Sequence, residues 1–200
     1  IQQQDWSVYN EQSHKGELRH LSLRIGRRTG EILLTLVART GKNLIGLDTQ
    51  AKLWMKQYPG LVGVCVNVNG DRTNRIFGSE TTCIVGQPFV RETFAGLTLH
   101  INSNTFFQVY TEQAEAVVQV ILDHLKLQGH ETVLDAYSGI GTLTLPLARV
   151  ARHCLGLEVQ AEAVEQAQQN AKLNNIENVE FQVGTVEDCL AEIELEPDVV

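Results

Sequence analysis

The sequence predicts an α/β fold in which a parallel sheet, wound from a βαβαβ run, follows a small α+β domain. Three observations predict it. Residues 105–200 alternate short apolar runs with helical patterns, strand before helix, as right-handed crossovers require. A glycine-rich turn, Asp135-Ala136-Tyr137-Ser138-Gly139-Ile140-Gly141-Thr142, interrupts the first of these units between its strand and its helix. Residues 1–104 read differently, as strand pairs around a single helix. The expected division is therefore 1–104 and 105–200.

Taken in order, residues 1–16 are polar, with Trp6 and Tyr9 among glutamines, and read as a connecting arm. Leu18–Ile25 alternates as a strand does, Arg27-Arg28-Thr29-Gly30 supplies a turn, and residues 31–38 make the second arm of a β-hairpin. Its bases Arg19, Arg24, Arg27 and Arg28 are candidates for gripping phosphates, or simply for keeping a sheet edge soluble. Residues 48–58 have helical spacing, stopped by Pro59-Gly60. Leu61–Val68 is rich in β-branched residues, and residues 82–85 and 97–101 suggest two more short strands.

The second part opens with a long helix over 111–127, whose stripe is Ala114, Val117, Val118, Ile121, Leu122 and Leu125. Then come strand Thr132–Asp135, helix 142–152, strand 154–157, helix Ala161–Leu173 and strand Val179–Val183. Pro146 falls early in its helix, where a missing N–H is tolerated. A further apolar start, Pro197-Asp198-Val199-Val200, ends the sequence.

Composition bounds the function classes. Of the 200 residues, 43% are hydrophobic and 20% charged, ordinary for a globular protein. No apolar run approaches the ~20 residues that span a bilayer, and Ile1-Gln2-Gln3-Gln4-Asp5 lacks the regions of a secretory signal. The four cysteines include no Cys-x-x-Cys pair, and His14, His20 and His100 lack ligand spacing, so no metal is expected. A reducing, cytoplasmic setting is the expectation. The net charge of −8 hides an asymmetry, because residues 1–104 carry 12 basic and 8 acidic side chains against 4 and 16 in residues 105–200. Any polyanion is expected at the first part; two solvated faces are the plain alternative.

Asp135 ends one strand and Glu158 the next, and ligands of such sheets bind beyond the carboxyl ends of the strands. An acid at the second strand's end suits a pair of ribose hydroxyls, the plain alternative being a solvated helix N-terminus. After Gly139-Ile140-Gly141 the third glycine of the dinucleotide fingerprint is missing, which counts against NAD or FAD. S-adenosylmethionine has no phosphate and needs carboxylates for an ammonium and a ribose, and Asp135 four residues before the first glycine fits such a site, holding the turn or the ammonium.

Thr105-Phe106-Phe107-Gln108-Val109, the run from Asp135 to Ala148 and Gly156-Leu157-Glu158 resemble the S-adenosylmethionine-dependent RNA uracil-5-methyltransferases. The likeness extends to the hairpin from Leu18-Arg19-His20 to Thr29-Gly30-Glu31. It implies a Rossmann-like methyltransferase domain, an RNA substrate (rRNA or tRNA), and cofactor contacts from Gln108, Tyr137 and Glu158. Asp135, Gly139 and Gly141 then shape the pocket. The chain departs from the family at Ser138, where Cys is common, and at Thr142, where Asn is common; Thr185 is a third changed position. The family's chemistry adds a cysteine thiolate to carbon 6 of uracil, and that residue follows an Asp-Pro-Pro-Arg-like motif after the fourth strand. None of Cys65, Cys83, Cys154 and Cys189 has that context. The expectation is a fragment that stops before the catalytic motifs, without the family's barrel or iron–sulfur cysteines, and inactive alone. Other readings are a methyltransferase for another substrate, a nicotinamide enzyme, or a non-catalytic RNA-binding module.

Overall fold

The computed structural model describes residues 4–192 and 196–200. The chain forms two compact units, residues 1–90 with 102–104, and residues 91–101 with 105–200. Residues 91–101, assigned by sequence to the first part, pack with the second; the tie is two asparagine side chains that hold their backbone, described below.

The first unit is a four-stranded mixed sheet of order β1-β2-β3-β4. β1 (Leu18–Ile25) and β2 (Ile32–Ala38) form the expected antiparallel hairpin. β2 and β3 (Leu61–Val68) are parallel, with α1 (Leu47–Gln57) between them in sequence, and β4 (Glu80–Gly86) returns antiparallel. α1 covers one face, where Leu34, Leu36, Val64 and Val66 meet Leu44, Leu47 and Ala51. The N-terminal stretch is not a loose arm. Trp6 is buried in this core, stands edge-on to Trp54 at 6.2 Å, and donates its indole N–H to Ile45 O at 3.0 Å. Residues 1–3 of that stretch lie outside the described residues.

The bases of the hairpin divide. The Arg19 guanidinium donates to Asn69 O at 2.8 Å and Asp71 O at 2.7 Å and lies 4.7 Å from the Tyr9 ring centroid. Arg24 donates to Ser103 O, and burial lowers its pKa. Both sit where the chain needs donors, so neither is the phosphate grip the sequence suggested. Arg27 and Arg28 are exposed.

β5 (Phe89–Phe94), missed in the sequence because its polar residues dilute the alternation, pairs with β6 (Leu97–Asn102). α2 (Thr111–Leu125) leads to a three-stranded parallel sheet, β7 (Thr132–Asp135), β8 (His153–Glu158) and β9 (Val179–Val183), in that order. Val199 bridges Val133 in parallel, beside β7 on the side away from β8. α4 (Ala161–Leu173) connects β8 to β9, and α5 (Val186–Glu192) follows β9.

α3 covers only Thr144–Ala148, not the expected 142–152. Past Ala148 the chain tightens into a turn, and Arg152 N–H leaves the helix to donate to Glu131 O at 2.9 Å. The Asn178 side-chain amide collects the released carbonyls of Ala148 and Ala151 at 2.7 and 3.0 Å. Among the described residues no helix is long and apolar enough to cross a membrane.

Candidate functional site

β7 and β8 run parallel and in register, so Asp135 and Glu158 emerge at the same edge of the sheet. Between them lies the glycine turn. Ser138 N–H donates to Leu157 O at 2.9 Å, and its hydroxyl bonds the same oxygen at 3.2 Å. This lashes the turn to β8 at Gly156, where any Cβ would lie 2.6 Å from Phe181 and 2.7 Å from Ser138 Cβ. Glycine is required there by approach, a need that period-based reading of β8 does not reveal. Gly141 combines both demands, with φ +89 and a Cβ position 2.9 Å from Leu145.

The two carboxylates then do different work. Asp135 accepts from the Thr144 hydroxyl at 2.6 Å and from Tyr137 N–H at 3.2 Å, so it holds the turn and the start of α3. Burial raises its pKa against those two bonds, and the nearby Glu158 charge adds to the rise. Glu158 accepts from Gly139 N–H through Oε2 at 3.1 Å and from Gln160 N–H through Oε1 at 2.8 Å. It is only half-buried, and each oxygen keeps a second lone-pair direction for a ligand hydroxyl.

Tyr137 is 81% exposed at the crest of the turn. Gln108 comes from the segment before α2 and lines a cleft of about 330 Å³ with Thr142, Tyr110 and the apolar face of α2. Asp135 and Ala136 line a second cleft, of about 460 Å³, along β7 with Leu143 and Val199. Tyr137 and Glu158 line neither of these clefts, so the sequence candidates are not gathered in either one. Thr185 caps α5, its hydroxyl donating to the Asp188 carboxylate at 2.8 Å and accepting from Asp188 N–H at 3.2 Å.

The turn also bears on which cofactor fits. Gly139 N–H is spent on Glu158 and Gly141 N–H on Ser138 O, at 2.9 Å, so neither is offered to a pyrophosphate. That fits a ligand without phosphate, whose charges are an ammonium, a carboxylate and a sulfonium and whose ribose hydroxyls donate. Burial, then the facing Cys83, pushes the Cys65 thiol up to about 12; burial, then the Asp135 charge, does the same to Cys154. Neither is an available thiolate near neutral pH. Among the described residues no group of three or more His, Cys, Asp or Glu is placed to hold a metal ion.

A parallel sheet with a glycine turn over its first strand and an acid at the end of its second defines a Rossmann-like ligand-binding domain. Within that class the comparisons point to a methyltransferase, with S-adenosylmethionine as methyl donor. Residues 127–200 match a family model described as a methyltransferase domain. Over 200 residues the chain is 60% identical to an uncharacterized RNA methyltransferase of Nostoc sp., and over 200 residues 48% identical to one of Synechocystis sp.. All of this chain aligns in both cases, and it spans 43% of the length of each relative. The crystal structure of Pyrococcus abyssi tRNA (uracil-54, C5)-methyltransferase in complex with S-adenosyl-L-homocysteine matches with a TM-score of 0.74 at 28% identity, over 92% of this chain and 44% of that one. These matches agree with a methyltransferase resemblance, and the chain is similar to RNA methyltransferases.

Proposed function

We propose that the second unit is the methyl-donor half of an enzyme that methylates carbon 5 of a uridine in structured RNA, rRNA or tRNA. The observation that carries the cofactor assignment is the Glu158 carboxylate. Two backbone N–H groups fix it at the carboxyl edge of the sheet, one on each oxygen, leaving each oxygen a second lone pair. In this reading Glu158 accepts the two ribose hydroxyls, and the exposed Tyr137 ring and Gln108 contact the rest of the cofactor. Asp135 keeps the turn in shape from beneath, and Gly139 and Gly141 keep the path to the backbone clear. Bound S-adenosylmethionine supplies an electrophilic methyl group.

The choice of uridine rests on the Pyrococcus neighbour and on the family resemblance. The nucleophile that adds to carbon 6 is assigned outside these 200 residues, consistent with the raised thiols of Cys65 and Cys154. The basic first unit supports an RNA contact there, through Arg27 and Arg28 rather than Arg19 and Arg24. Calorimetry with S-adenosylhomocysteine tests the cofactor: binding is expected, and Glu158→Ala raises Kd about tenfold or more by removing charge-assisted bonds. Unchanged affinity in that variant would sink the ribose assignment. Methylation of a uridine-free RNA by the full-length protein, with none on a uridine-containing one, would sink the substrate.

A further inference from the structure

α4 carries an amide on each of three successive turns of one face, at Gln166, Asn170 and Asn174, the last being its C-cap. The first two are not surface residues. Gln166 and Asn170 are buried, Asn170 completely, in a helix that otherwise buries Ala163, Val164, Ala167 and Ala171. A buried amide is costly unless its donor and acceptor both find partners, so each of these must be matched by something.

Their partners lie along one line. Asn174 accepts from Thr98 N–H at 2.9 Å and donates to Thr98 O at 2.7 Å. One turn earlier, Asn170 accepts from His100 N–H at 2.8 Å and donates to His100 O at 3.3 Å. A side-chain amide has a donor and an acceptor spaced like those of a peptide, so the two asparagines act as a substitute strand along β6. Gln166 accepts from the Thr105 hydroxyl at 2.9 Å, just before Phe106-Phe107-Gln108.

Asn170 makes one contact that Asn174 does not. Its Nδ2 also donates to Ile140 O at 3.2 Å, in the middle of the glycine turn. Ile140 stands between Gly139 and Gly141, both at positive φ, so the residue whose carbonyl is held has a glycine on either side of it in the turn. The Gly139 N–H that aims Glu158 belongs to the same turn.

Resting on the function proposed above, we infer that Asn170 is a positioning residue for the cofactor turn. It pins the Ile140 carbonyl so that Gly139 N–H keeps Glu158 aimed at the ribose. It touches no cofactor itself; it removes the alternative orientations of a turn that its glycines would otherwise sample.

Asn174 supplies the control, because it makes the same two bonds to β6 and none to the turn. In the full-length protein, Asn170→Ala and Asn174→Ala are both expected to lower the thermal midpoint. Only Asn170→Ala is expected to weaken S-adenosylhomocysteine, by about tenfold in Kd, the equivalent of one lost buried hydrogen bond. Asn174→Ala stays within about twofold of wild type. Asn170→Ser, a milder truncation, serves if the alanine variant does not fold, and hydrogen exchange over residues 136–146 should quicken in the Asn170 variants alone. Equal affinity in the Asn170 and Asn174 variants, with wild type binding normally, would overturn the positioning role and leave the Glu158 assignment standing. Failure of wild type to bind S-adenosylhomocysteine would instead overturn both.

Discussion

Glu17 in the first unit and Glu158 in the second each gather loop N–H groups onto a carboxylate, yet they end in opposite conditions. Glu17 is 1% exposed and accepts from Thr40 N–H at 2.9 Å, Gly41 N–H at 2.6 Å, the Thr40 hydroxyl at 2.9 Å and Asn43 Nδ2 at 3.2 Å. Its lone pairs are used up by the chain itself. Glu158 takes two N–H groups and stops, half-buried at the sheet edge. The same chemistry makes a closed joint in one place and leaves, in the other, an acid that the proposed function uses as a receptor. What separates them is how many donors the fold brings to each acid.

That contrast is broken most forcefully at Glu17. Glu17→Ala strands the N–H groups of Thr40 and Gly41 in a buried site and is expected to cost about 3 kcal/mol of stability. Denaturant titration measures it, and S-adenosylhomocysteine affinity should not change. Glu158→Ala should show the reverse pattern, a large loss of affinity with little loss of stability. Similar profiles for the two variants would mean that Glu158 is another structural joint.

Acid sharpens the comparison with a sign. Burial would raise the Glu17 pKa, but the bonds from Thr40, Asn43 and Gly41 outweigh it and hold the carboxyl below its ordinary range. Its contribution to stability is present above the unfolded value of about 4.3 and lost as pH falls through the lower folded value. Asp135 runs the other way. Its folded pKa is raised, so the fold is favoured as pH drops from above that value toward the unfolded value of about 3.9. Relative to Glu17→Gln, wild type should lose stability on acidification below about pH 4; relative to Asp135→Asn it should gain it before then. Unfolding curves at several pH values check both slopes.

The smallest effect separates two glycines of the turn. A Cβ at Gly139 meets nothing within 4 Å, so Gly139→Ala pays only for its positive φ, about 1 kcal/mol. Gly141→Ala adds the approach to Leu145 and should cost more. Equal thermal shifts in the two variants would show that Leu145 yields freely.

The sequence by itself determined the class of fold, because the period of its apolar residues changes from strand to helix and back over residues 105–200. It also brought forward a candidate site, a glycine pair between two strand-end acids, which the structure gathers at one edge of the sheet. β1, β3, β7, α4 and β9 stand at the bounds read from pattern alone. What the pattern could not decide was partnership. Whether Arg19 meets solvent or Asn69 O, whether Trp6 hangs on an arm or enters a core, and whether residues 91–101 join the first or the second unit all depend on residues far apart in sequence. Nothing in the pattern of the helix Ala161–Leu173 singles out Asn170 or Asn174. Only the packed fold aims them at β6, where the Thr98 and His100 backbone groups match a side-chain amide.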